Sequence, residues 1–152
     1  MNGMKKYLVA TFLSAAVLFT SAAHAMQIQQ FDKIADRDQS DYINVLIEGA
    51  EKVLTDEGRS DLAKQVDHLF TTKNKGDADL IGMIAFETSL ATLRAIDARN
   101  AERNPGAQRL EVEHAMILAL KDHGIILPKS FMTVASNFHP KLPPQAKEKK
   151  DK

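Results

Sequence analysis

The chain has 152 residues, with 20 basic and 20 acidic side chains and neither cysteine nor tryptophan. Disulfides, thiol chemistry and Cys-ligated metals are therefore excluded, and stability must come from an apolar core. The lack of tryptophan also argues against an aromatic-lined sugar or base-stacking surface.

Residues 1–25 carry the three regions of a secretory signal peptide in order. Lys5 and Lys6 precede an uncharged run from Tyr7 to Phe19, and Ala23-His24-Ala25 forms an Ala-x-Ala cleavage box. A membrane-spanning helix needs roughly 20 apolar residues, and this run stops short at Thr20-Ser21. The pattern predicts an exported protein, periplasmic or secreted, cut after Ala25, with Ala23 the alternative position. The signal holds two of the 20 basic residues and none of the acidic ones, so the remainder carries −2. Within it, residues 140–152 contribute +3 and the body 26–139 contributes −5. An acidic body lacks the clustered Lys and Arg that phosphate contacts require, which speaks against nucleic acid.

The mature chain reads as one domain over 26–139 followed by a disordered basic tail over 140–152. Ile28, Phe31 and Ile34 are spaced for one or two helical turns in the lead-in. A strong helix is predicted from Asp38 or Ser40 to Glu57. Tyr42, Ile43, Leu46, Ile47, Ala50, Val53 and Leu54 share a stripe about 140° wide, and Gly58 supplies the stop. A second helix follows from an N-cap at Ser60 to about Thr72, so close behind that the two must be antiparallel. A third helix is predicted from Asp77 to Glu102. Its first half is apolar nearly all round (Leu80, Ile81, Met83, Ile84, Phe86, Leu90, Leu93), the pattern of a centrally buried helix.

Asn104-Pro105-Gly106 breaks that helix, and a fourth runs from Arg109 or Leu110 to His123 with Gly124 at its end. Pro128 opens a fifth through Phe131, Val134 and Phe138. No strand shows convincing alternation. The fold class is all-α, an irregular bundle of four to five helices after a cleaved signal peptide. Gly49 and Gly82 fall inside helices, where glycine permits close approach of a neighbour.

Candidate chemistry is sparse. Glu87 is the one acid between Leu80 and Leu93, and a buried carboxylate is costly unless paired. Arg94 lies on the same side of that helix, and a basic group or capping amide elsewhere is the structural explanation for such an acid. The functional one is a ligand-contacting or proton-transferring carboxylate. His123 falls toward the inner face in the last turn of the fourth helix, as a C-terminal cap or as a general base in a pocket. Glu111 and His114 have Glu-x-x-His spacing, but a di-iron bundle needs two such motifs and two more acids. Both fall on the polar face, which leaves them weak metal candidates, as is His68. Asp36 to Asp41 fails as a calcium loop, since Asp41 and Ile47 stand where glycine and glutamate belong.

No cofactor motif is present. The function these residues predict is protein binding or self-association, with no integral membrane segment in the mature chain. The 125–138 stretch, with Ile125, Ile126, Phe131 and Met132, is the expected contact surface. The alternative is an enzyme or small-ligand carrier with a pocket between the third and fourth helices, using Glu87 and His123.

Overall fold

A computed structural model describes residues 25–71 and 80–137. The expected signal segment up to residue 24, residues 72–79, Phe138, His139 and residues 140–152 lie outside the described residues. Six helices occur among the described residues: α1 (Ile28–Phe31), α2 (Asp36–Asp56), α3 (Ser60–Phe70), α4 (Ile81–Arg103), α5 (Glu113–Asp122) and α6 (Ser130–Asn137). The sixth, beyond the expected four or five, is the single turn α1 in the lead-in.

Helix α2 is the axle of the bundle. It packs against α3, α5 and α6, while α4 closes the other side against α3 and α5. Tyr42, Ile43, Leu46, Ala50, Val53 and Leu54 are all buried along one stripe of α2, as its periodicity requires. Phe31, Val66, Phe86, Leu90, Met116, Leu120 and Phe131 complete the core from the other helices. At roughly 1.5–3 kcal/mol for each large side chain buried, this core is the main stabilising term.

Two glycines end helices in the same way. Gly58 has φ of 74° and Gly124 has φ of 77°. After α2, the Arg59 N–H bonds the Leu54 carbonyl (2.8 Å) and the Gly58 N–H bonds that of Thr55 (2.9 Å). After α5, Ile125 N–H bonds Leu120 (2.9 Å) and Gly124 N–H bonds Lys121 (3.0 Å). Both are Schellman motifs, and burial of Ile125 with Leu120 supplies the accompanying apolar contact at the second. The Arg59 guanidinium then donates to the Ile126 carbonyl (3.0 Å), tying the two turns together.

Helix starts differ from their sequence expectation for local reasons. Ala35, in extended conformation, precedes α2, so the helix begins at Asp36 and Ser40 bonds the Asp36 carbonyl instead of capping. Helix α5 begins at Glu113, not near Arg109. The residues before it are held against the lead-in, with Ile28 N–H bonded to Leu110 O (3.1 Å) and Val112 N–H to Met26 O (2.9 Å). This short antiparallel clasp joins the first described residues to the entrance of α5.

Helix α4 departs most from expectation. Gly82, Phe86, Ser89, Leu90, Leu93 and Asp97 form its buried face, but Ile81 and Ile84 are each 55 % exposed. The helix is one-sided, not central. Gly82 marks its closest approach to α3: a Cβ there would stand 2.9 Å from the Leu69 carbonyl and the Phe70 ring. At Gly49 the nearest atom, on Phe131, would be 3.7 Å away, an ordinary contact.

Substitution separates these glycines. Gly82→Ala lowers stability by about 1–3 kcal/mol through overpacking, whereas Gly49→Ala is neutral or stabilising by up to about 1 kcal/mol because alanine favours the helix. Gly124→Ala costs about 1–2 kcal/mol from its left-handed backbone alone, and urea unfolding of the three proteins measures all of these effects.

Candidate functional site

Sequence reasoning favoured Glu87 and His123, and both lie on the surface. Glu87 is exposed on α4. On a helix of 100° per residue it lies about 110° from the middle of the buried face, so solvent supplies what a buried partner would have had to. Arg94 is engaged elsewhere: its guanidinium forks onto Asp32 after α1, with Nη2 to Oδ1 at 2.6 Å and Nε to both oxygens at 3.1 and 3.2 Å. That pair fastens the lead-in to α4. His123 is also exposed. Its inward register holds only while the helix continues, and the chain leaves α5 at Asp122, with His123 as C-cap before the Gly124 turn. The capping position is as expected, and the inward orientation is corrected.

His114 and His68 are exposed, and Glu111 is half-buried. Among the described residues no group of three His, Asp or Glu side chains could hold a metal ion. The expected apolar surface over 125–138 is also corrected in part. Ile125 and Phe131 are core residues, at 1 % and 0 % exposure, and of the four only Ile126 is strongly exposed.

The buried chemistry lies at the clasp. Glu113, the first residue of α5, is fully buried. Tyr42 on α2, 1 % exposed, donates its phenol hydrogen to Glu113 Oε1. The backbone N–H of Met26 points at the same place and is shared between Tyr42 Oη (3.3 Å) and Glu113 Oε1 (3.4 Å). Glu113 Oε2 has no hydrogen-bond partner among the described residues. Phe31 packs at an angle against the Tyr42 ring, with centroids 6.1 Å apart, which walls the group from solvent.

Electrostatics follow from this isolation. Burial raises the Glu113 carboxyl above the ordinary carboxylate range, and Glu111 adds to it, while the Tyr42 and backbone hydrogen bonds pull the other way. Burial and the Glu113 charge both push the Tyr42 phenol upward, so it remains a protonated donor. No Lys, Arg or His among the described residues forms an ion pair with Glu113. Buried charges are ordinarily paired, and this one has only donors around it.

A second acid was hidden in the same way. Asp97 is 7 % exposed on the inner face of α4. Its Oδ1 accepts the Leu110 N–H (3.2 Å), and Arg109 stands 4.0 Å from Oδ2, which folds the 104–112 connection back onto α4. Both acids could have been found by register. Glu113 stands three and seven residues before Met116 and Leu120, in line with the apolar stripe of α5.

Two measurements check this account. Tyr42→Phe removes a side-chain donor to a buried carboxylate and lowers stability by about 1–3 kcal/mol in chemical unfolding. With Met26 still joined to Ala25, the folded pKa of Glu113 exceeds its unfolded value. Its contribution is then complete below the unfolded pKa and is lost as pH rises through the folded one. A stability profile from pH 4 to 8 therefore falls in that chain, and Glu113→Gln flattens it.

No family model, no curated protein and no solved structure matches this chain.

Proposed function

We propose that this protein is exported, loses residues 1–25, and works as a helical binding module through the outer face of α4. The observation that carries this reading is the make-up of that face. Ile81, Ile84, Thr88, Ala91, Thr92, Ala95 and Ala98 are all exposed and follow one side of the helix. On 1.5 Å per residue they form a strip about 27 Å long, bordered at its small-residue end by Arg99, whose Nε bonds the Ala95 carbonyl at 3.2 Å. Ile84 points about 170° away from the buried face, so its exposure serves nothing inside the bundle.

The strip is graded, with bulky isoleucines at one end and small alanines and threonines at the other. A second copy in antiparallel orientation sets Ile81 and Ile84 of each chain over Ala91, Ala95 and Ala98 of the other, the knob-and-hollow fit that helix pairs use. A single helix face covers less than the roughly 800 Å2 per partner of a standard interface. The pairing is therefore weak and concentration-dependent. None of the described helices is long and apolar enough to cross a membrane.

Sedimentation of the processed protein over a concentration series tests the reading. We expect a monomer–dimer equilibrium that Ile84→Asp abolishes while the unfolding midpoint stays the same. A monomer throughout, unaffected by Ile84→Asp, overturns self-association as the mode of action.

A further inference from the structure

We propose that Glu113 and Tyr42 form a built receptor for the α-ammonium of Met26, created when the chain is cut after Ala25. The inference rests on the export reading for its cleavage site and on the described residues for its chemistry. Hydrolysis by a signal peptidase breaks the Ala25–Met26 C–N bond. Water supplies the hydroxyl to the Ala25 carbonyl carbon and a hydrogen to the Met26 nitrogen, which takes a further proton from solvent at neutral pH.

The nitrogen is already in position. Met26 is 5 % exposed, and its carbonyl is fixed by the Val112 N–H at 2.9 Å. On its other side the chain enters α1 at once, with Gln27 N–H held by the Gln30 side chain at 3.1 Å. The Met26 nitrogen is therefore pinned 3.3 Å from Tyr42 Oη and 3.4 Å from Glu113 Oε1, whatever precedes it.

Donor count and charge then decide the matter. While Met26 is in peptide linkage its single N–H serves two acceptors, and Glu113 Oε2 has no partner among the described residues. An ammonium brings three donors to three acceptors: Tyr42 Oη and both carboxylate oxygens. It also brings a positive charge that no other group among the described residues supplies to a carboxylate with 0 % exposure. Tyr42 keeps its geometry, accepting from the nitrogen and donating to Glu113. Glu111 is the other acid acting on the pair, and it too favours a cation at this point. Cleavage thus converts an unpaired buried carboxylate into a buried ion pair, and the bundle is complete only in the processed protein.

A four-protein comparison tests this on chains expressed as full precursors and recovered from the extracytoplasmic fraction of the host. The first pair is the natural chain and its Glu113→Gln variant. The second pair carries one alanine inserted between Ala25 and Met26, which keeps the cleavage box, turns the Met26 nitrogen back into an amide and moves the ammonium one residue outward. Intact mass establishes each N-terminus, and urea unfolding gives the stabilities. We expect Glu113→Gln to raise the unfolding constant at least about tenfold when Met26 is the first residue, and to leave it unchanged or lower it in the insertion pair. Equal effects in both pairs, with Met26 confirmed as the first residue, overturn the receptor alone. A natural chain whose mass shows another first residue overturns the cleavage reading and the receptor together.

Discussion

The fold turns on a backbone clasp and the acid buried behind it. Residues 26–28 lie antiparallel to 110–112, and through this contact the lead-in, α2 and the entrance to α5 meet at Glu113. Each hydrogen bond there has a structural counterpart. The clasp delays the start of α5 until residue 113, which places a carboxylate at the first helical position and inside the core. At an exposed helix start, an acid gains modestly from the helix dipole. Here the same acid is cut off from water, so its balance depends on the donors that α2 and the lead-in provide.

The surrounding bundle makes that burial possible. Tyr42 is fixed because its ring is part of the α2 stripe and lies against Phe31. Phe31 is fixed because α1 is fastened at both ends: by the clasp on one side, and on the other by Gln39, which donates to the Phe31 carbonyl at 2.9 Å, and by the Asp32–Arg94 fork. Asp97 does the same work further along α4, gathering the 104–112 connection so that its last residues reach the clasp in register. Two buried acids, on α4 and α5, thus flank the end of the connection that meets the clasp.

Much of the scaffold could be read from the amino-acid pattern. The α2 stripe, the stops at Gly58 and Gly124 and the tight α2–α3 turn follow from periodicity and from backbone angles that glycine alone adopts readily. Gly82 could be recognised as a close-approach position for the same reason. Direction on α4 could not be read, because its first half is apolar all round and periodicity fixes a face only when polar residues oppose it. Neighbouring helices chose the face with Gly82, Phe86 and Leu90, and Ile84 and Glu87 were left outside. The acid that is buried, Glu113, sits between Glu111 and His114, whose spacing drew attention to the opposite side of the helix. Its register with Met116 and Leu120 was the available signal, but a partner 71 residues away at Tyr42 is not encoded in local spacing.

The clasp also bears on the order in which the chain can fold. Met26 and Glu113 are 87 positions apart, in a protein whose other pairings are mostly between neighbouring helices. Closing so long a loop costs more entropy than forming the α2–α3 hairpin, and the cost is recovered only when the core contacts are made. Residues 26–28 therefore wait for the entrance of α5 before they can be held. If the chain is exported as proposed above, the clasp would close only once α5 had followed residues 26–28 across the membrane.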